Sequence, residues 1–305
     1  MMEEAELNMD NTTKSAMVTV CGRPNVGKST LTNALVGEKI AIVSNKPQTT
    51  RNRIIGIVER GGTQLVLMDT PGFHRPRTKL GDYMVNVVRE SVADVDCVLL
   101  LVEPIASVGP QEEALIARIE EQKLPALLVI NKIDTVEKER LLEVMAVYAA
   151  RHDFEAILPV SARTGEGLDE LLDELEQYAV EGPHLFPDDM ITDQPERAIC
   201  AELIREKLLL CLEKEIPHGT AVEITKFSER ENGLIDVEAT IFCEKDSHKG
   251  IIIGKKGAML RTVGELARRD MEALLDARVN LQTWVKVKES WRDSMAQLRN
   301  FGYTE

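Results

Sequence analysis

Long apolar runs are missing from this 305-residue sequence. No stretch approaches 18 uninterrupted apolar residues, which excludes a transmembrane helix on the usual length criterion. Close cysteine pairs are missing too. Cys21, Cys97, Cys200, Cys211 and Cys243 are odd in number, far apart and mostly inside apolar runs. That excludes the usual zinc sites and fits buried free thiols in a reducing cytosol. The first 15 residues lack the apolar core of a signal peptide and read as a flexible, acidic tail. What remains is ordinary for a globular protein: 44% hydrophobic residues, and a length that fits about two domains with a sizeable core.

Positive charge is also short, 37 Lys and Arg against 51 Asp and Glu, a net of −14 that argues at first against nucleic acid. The deficit is unevenly spread. Residues 1–197 carry 20 basic and 33 acidic side chains, a net of −13, whereas residues 198–305 carry 17 and 18, a net of −1. The second part also holds a local basic cluster, Lys245, Lys249, Lys255, Lys256 and Arg261. A basic patch on a near-neutral domain can contact phosphates even when the whole chain is acidic.

The most informative stretch is Gly22, Arg23, Pro24, Asn25, Val26, Gly27, Lys28 and Ser29. It follows an apolar run at 17–21 and leads through Thr30 into a good helix. Strand, Gly-x-x-x-x-Gly-Lys-Ser and helix make a phosphate-binding loop in its required context. Its backbone N–H groups face phosphate oxygens, Lys28 reaches the β- and γ-phosphates, and the Ser29 hydroxyl ligates Mg²⁺. Further apolar β-rich runs at 54–58, 63–68, 97–102, 126–130 and 156–160 alternate with amphipathic stretches at 110–121, 137–150 and 168–178. This spacing predicts a doubly wound, mostly parallel sheet with ligands at the carboxyl ends of its strands. The other polar motifs stand at those ends. Asp69-Thr-Pro-Gly72 offers a carboxylate for a Mg²⁺-bound water and the Gly72 N–H for a γ-phosphate. Asn131, Lys132 and Asp134 follow a strand, and the Asp134 carboxylate accepts the N1–H and 2-amino donors of guanine, a pair that adenine lacks. Ser161 and Ala162, with Arg163, would present a backbone N–H to the guanine carbonyl.

The order and wording of these motifs resemble the translation-factor-related GTPases and, within them, the Era family. The resemblance covers roughly residues 16 to 303 and includes Pro47-Gln-Thr-Thr-Arg51 and Asp69-Thr-Pro-Gly-Phe-His74. It implies an α/β P-loop GTPase domain at 16–180, a linker at 181–197, an α+β type II KH domain at 198–288 and a short C-terminal tail at 289–305. It implies Thr50, rather than Thr49, as the mobile-loop threonine that meets Mg²⁺ and the γ-phosphate. Many small GTPases place a water-orienting glutamine after Asp-x-x-Gly, where this chain has Phe73. A phenyl ring handles no proton, so slow intrinsic hydrolysis is expected. In related potassium-activated GTPases an Asn at the position of Asn25 helps hold K⁺, which would offset phosphate charge as an arginine finger does. Asn25 as a loop-shaping residue stands as an equal reading.

Beyond the linker, the pattern is helix, two strands, two helices and a strand, with Gly254, Lys255, Lys256 and Gly257 joining the later helices. The glycines admit an RNA backbone and the lysines add charge. Trp284 reads as core. The implied function is a bacterial GTP-hydrolysing switch that binds GTP and GDP and recognises small-subunit ribosomal RNA near its 3′ end during 30S assembly. It is expected as a cytoplasmic monomer, with peripheral contact at the inner face of the membrane neither supported nor excluded. An RNA-binding module with no required turnover and a tRNA-modification-type GTPase are the alternatives.

Overall fold

Strands buried on both faces of a parallel sheet need unbroken apolar runs, and four segments supply them. In the computed structural model, which describes residues 13–72, 76, 78–92 and 95–303, these are β1 (Lys14–Cys21), β3 (Thr63–Asp69), β4 (Cys97–Val102) and β5 (Ala126–Ile130). With β2 (Ile54–Arg60) and β6 (Ala156–Pro159) they form a sheet of order β2-β3-β1-β4-β5-β6, in which the β2–β3 pairing alone is antiparallel along this path. Helices α1 (Lys28–Val36), α3 (Pro110–Gln122), α4 (Lys138–Ala149) and α5 (Leu168–Glu176) connect the strands. Leu31 and Leu35 of α1, and Leu171 and Leu175 of α5, close one core with Val18, Leu65, Leu99 and Leu127 of the sheet. The doubly wound expectation therefore holds. A short strand β7 (Val180–Glu181) runs antiparallel to the start of β1.

By internal contacts the chain divides into two units, the described residues of Met1–Glu38, Arg53–Thr70 and Arg89–Asp193, and those of Lys39–Asn52, Pro71–Val88 and Gln194–Glu305. The second unit holds α6 (Glu196–Cys211), β8 (Ala221–Glu229), β9 (Ile235–Cys243), α7 (Asp246–Ile253), α8 (Ala258–Leu275), β10 (Val279–Val287) and α9 (Met295–Asn300). Its sheet has the order β10-β9-β8, parallel between β10 and β9 and antiparallel between β9 and β8. Alternate residues Val237, Ala239 and Ile241 of β9 point to the core that α6 and α8 cover with Leu203, Leu208, Val263 and Ala267. That is the expected KH order of elements.

Several boundaries and one burial differ from the sequence reading. β1 begins at Lys14, so it takes in two residues assigned to the tail. α6 begins at Glu196, inside the stretch assigned to the linker, and β7 takes the first residue of that stretch. The described part of the C-terminal stretch, residues 289–303, packs into the second unit. Trp291 is fully buried, donates from Nε1 to Gly219 O at 2.9 Å, and packs with Phe242, Leu298 and Tyr303. Leu80, Tyr83 and Met84 of α2 (Lys79–Ser91), a helix the sequence reading did not place, join the same cluster. Trp284, read as core, is 44% exposed. The inward residues of β10 are Val279, Leu281, Val285 and Val287, all odd-numbered, so alternation puts Trp284 on the opposite face.

The polar stretch at 44–53 is a loop as expected, held by two buried arginines and the half-buried Lys46. The Arg51 guanidinium donates to Thr220 O at 2.8 Å and His218 O at 2.9 Å, and lies 5.6 Å over the Trp291 ring. Arg205 of α6 donates to Gln48 O and Thr49 O, and Lys46 donates to Leu209 O and Leu212 O. All five cysteines are free thiols, four of them buried, and Cys211 is half-buried. Among the described residues, no helix is long and apolar enough to cross a membrane.

Candidate nucleotide and RNA sites

The phosphate loop sits between β1 and α1 because its glycines allow approaches no other residue could make. A Cβ on Gly27, at φ +101°, would lie 2.3 Å from Asn131 Nδ2. Lys28 is buried, and its Nζ donates to Gly22 O and Arg23 O, both at 3.1 Å, so it caps the loop it would leave on meeting a phosphate. Burial lowers its pKa, while Asp69 works against that shift. Asp69 is fully buried at the end of β3. Its Oδ2 accepts from Ser29 Oγ at 2.6 Å, while Oδ1 has no hydrogen-bond partner among the described residues. Burial pushes its carboxyl up to about 6, against the pull of Lys28 and the Ser29 hydroxyl. A desolvated carboxylate beside a serine hydroxyl, with one orphaned oxygen, is a donor set suited to a hard divalent cation.

At the carboxyl ends of β5 and β6, Asn131 ties the phosphate loop to the neighbouring loop. Its Nδ2 donates to Val26 O at 2.8 Å and its Oδ1 accepts from Ala162 N at 3.0 Å. Ser161 Oγ donates to Asp134 Oδ1 at 2.6 Å, and Arg163 pairs with Asp134 Oδ2. The Ser161 hydroxyl first, and then Arg163, hold the Asp134 carboxyl below the usual range, so it is ionised and ready to accept. Arg163 is 75% exposed at its side chain and can leave a guanine edge to take its place. The Ser161 N–H donates to Glu166 O at 2.9 Å and the Ala162 N–H to Asn131 Oδ1 at 3.0 Å, so the 161–163 turn is tied to the neighbouring loop.

Lys132 donates to Asn25 O and to Glu103 Oε1, each at 2.6 Å, and Glu103 also pairs with Arg23. Glu103 escaped the sequence reading. The available signal was a carboxylate directly after an apolar strand, where sheets of this kind bind ligands. Thr50 and Gly72 fall in the second unit. Thr50 is buried, and the Thr49 hydroxyl is engaged in its own loop, with Ser44 Oγ and Lys46 O, each at 2.7 Å. Phe73 lies outside the described residues.

The second candidate site is the turn between α7 and α8. Gly254 has φ +71° and ψ 175°, a conformation only glycine adopts readily, and a Cβ there would lie 2.7 Å from Met259 Cβ. Lys256 is itself left-handed at φ +52°, which costs a non-glycine residue about 1 kcal/mol. The turn thus holds a strained lysine, and both Lys255 and Lys256 are exposed. Beside it runs an open groove of about 340 Å³, lined by Gly257, Leu260, Arg261, Gly264, Arg268 and Thr283 among others.

A phosphate loop, a guanine-type carboxylate and a glycine-lysine turn on a three-stranded domain define a P-loop GTPase joined to a KH domain. Residues 17–132 match the family described as 50S ribosome-binding GTPase, and residues 215–292 match the KH domain family. The chain belongs to the family of GTPase Era. It is 53% identical to GTPase Era of Ruminiclostridium cellulolyticum over 95% of this chain and 97% of that protein. It is 50% identical to GTPase Era of Alkaliphilus metalliredigens over 95% and 99%. A crystal structure of Era with MgGDPNP and nucleotides 1506–1542 of 16S ribosomal RNA superposes with a TM-score of 0.92 at 36% identity, covering 96% of this chain and all of that one. An Aquifex aeolicus Era variant bound to GDP and AlF₄⁻ matches equally well.

Proposed function

We propose that this GTPase is a switch that binds small-subunit ribosomal RNA near its 3′ end through the KH turn and assists 30S assembly as a cytoplasmic monomer. The observation that carries this reading is the near-complete match to an Era structure holding both MgGDPNP and a 16S segment. Residues 22–30 would cradle the phosphates, with Lys28 on the β- and γ-phosphates. Asp134 would read guanine, with Asn131, Lys132, Ser161 and Ala162 holding that pocket in shape. Ser29, Asp69 and Thr50 would hold Mg²⁺, which when bound offsets charge on the phosphates. Gly72 would turn its N–H toward the γ-phosphate. The basic cluster around Lys255 and Lys256 would also serve contact with the inner face of the membrane, and the strained turn with its adjoining groove suits a nucleic-acid strand.

Asp134→Asn is expected to reverse base preference from guanine to xanthine, because an amide presents a donor where the carboxylate accepts. The loss for GTP should be on the order of 10⁴, the usual cost of leaving a base-reading group unpaired. Competitive binding of GTP and XTP checks this, and retained GTP preference would assign base reading to another residue. Turnover is tested by steady-state GTP hydrolysis with and without an oligomer from the 3′ end of small-subunit ribosomal RNA. RNA-stimulated multiple turnover is the expected result, and a single burst without turnover would favour a nucleotide that is only structural. Running the assay in K⁺ and in Na⁺ tests Asn25, which is left-handed at φ +67° in the phosphate loop. Faster hydrolysis in K⁺, abolished by Asn25→Ala while GTP still binds, is expected if a cation sits there. Equal rates would leave Asn25 a loop-shaping role.

A further inference from the structure

Two left-handed residues flank the nucleotide end of the first unit, Asn25 at φ +67° in the phosphate loop and Lys132 at φ +65° after β5. Neither is glycine, so something must hold each in place. One carboxylate meets Lys132 directly and meets the phosphate loop at Arg23, two residues before Asn25. Glu103, the first residue after β4, accepts from Arg23 Nη2 on one oxygen and from Lys132 Nζ, at 2.6 Å, on the other. Lys132 Nζ also donates to Asn25 O at 2.6 Å, which closes a ring through residues 23–25 of the loop. Arg23 Nε lies 3.5 Å from Glu112 Oε1, so two cations and two anions balance locally. Burial alone would raise the Glu103 carboxyl, but the contacts with Lys132 and Arg23 override it and keep the group below the usual range. The side chains of Arg23, Glu103 and Lys132 are 29%, 25% and 36% exposed.

We infer that Glu103 is a positioning residue which clamps the outer turn of the phosphate loop to Lys132, and so sets how long a guanine nucleotide is retained. The inference rests on the reading that residues 22–30 and 131–134 hold that nucleotide. β4 is buried along its whole length, which fixes the backbone from which Glu103 projects. The clamp is therefore anchored in the sheet, whereas the two segments it joins are loops. Without its charge, Lys132 keeps one neutral acceptor and Arg23 turns to Glu112 or to water. The loop then samples conformations in which its N–H groups diverge from the phosphates. A bound nucleotide should leave faster, while the γ-phosphate chemistry, which Glu103 does not touch, should proceed as before once the site is full.

Stopped-flow release of mant-GDP from the full chain tests this in wild type, Glu103→Gln and Arg23→Gln. Glu103→Gln is expected to speed release about tenfold. KM for GTP should rise with it, and kcat should stay within about twofold of wild type. Half-exposed charges are screened by salt, so the gap in release rate should narrow at about 1 M KCl. Arg23→Gln opens the same ring from the other side, so the double variant should release no faster than the faster single one. Release within twofold of wild type overturns the inference, as does a fall in kcat equal to the rise in KM, or additive effects in the double variant. Lys28→Ala serves as the control. Should it release mant-GDP as slowly as wild type, the phosphate-site reading fails; should it release fast while Glu103→Gln matches wild type, the clamp alone fails.

Discussion

Lys28→Ala should cost two to three orders of magnitude in GTP affinity. The Lys28 ammonium is buried, with its pKa lowered by desolvation. Removing one partner from a buried charged contact costs about 3–5 kcal/mol, because the other charge is left uncompensated. Here the stranded charge would be a triphosphate in a site that excludes much of the water. The fold should survive. Without Lys28 the carboxyl of Asp69, already pushed up to about 6 by burial, can take a proton rather than remain as a lone buried anion. The loop carbonyls of Gly22 and Arg23 lose one donor, which water can replace. Equilibrium dialysis with GTP reads the effect, and unchanged affinity would remove the phosphate assignment altogether.

Gly257→Asp should lower affinity for an RNA oligomer about 10²-fold at moderate salt and leave GTP binding intact. The two glycines of the KH turn do not test the same thing. A side chain on Gly254 would strike Met259 and occupy a backbone region closed to other residues, so its substitution damages the turn itself. Around Gly257 a Cβ meets nothing within 4 Å. Its φ of +77° is a left-handed conformation, which aspartate enters more readily than most non-glycine residues, and no α8 cap bond depends on it. The new carboxylate should therefore leave α8 in place, while its charge repels a phosphate backbone. Filter binding with an oligomer from the 3′ end of small-subunit ribosomal RNA measures this. Wild-type affinity would mean that Gly257 only shapes the turn.

What the sequence disclosed was whatever folds locally. Strand, motif and helix follow one another within 20 residues around Gly22–Ser29, around Asn131 and around Gly254, so apolar periodicity and turn chemistry suffice to place them. Pairings between distant segments carry no period. Arg51 meets Tyr303 and Trp291 across about 250 positions, and no spacing rule joins a polar loop to an aromatic C-terminal stretch. Glu103 was missed for the same reason, since its two cations come from separate loops. Trp284 was misplaced although the signal was present. Strict alternation from Val279 to Val287 puts it outside, and residue type outweighed register. Likewise, a motif of three residues at 161–163 could not reveal that the Ala162 N–H is taken by Asn131.

The grouping of Lys39–Asn52 with the KH elements has a consequence for domain exchange. A chimera that takes the C-terminal module from a relative by cutting near residue 194 would import the anchor points but not the segment they were fitted to. Arg51 finds its acceptors at His218 and Thr220, while Glu206 receives both Lys39 and the Val43 N–H. These groups lie on opposite sides of the cut in sequence yet within one contact unit. The exchangeable piece is discontinuous, and a graft that ignores residues 39–52 would bring together cations and carboxylates selected in different backgrounds.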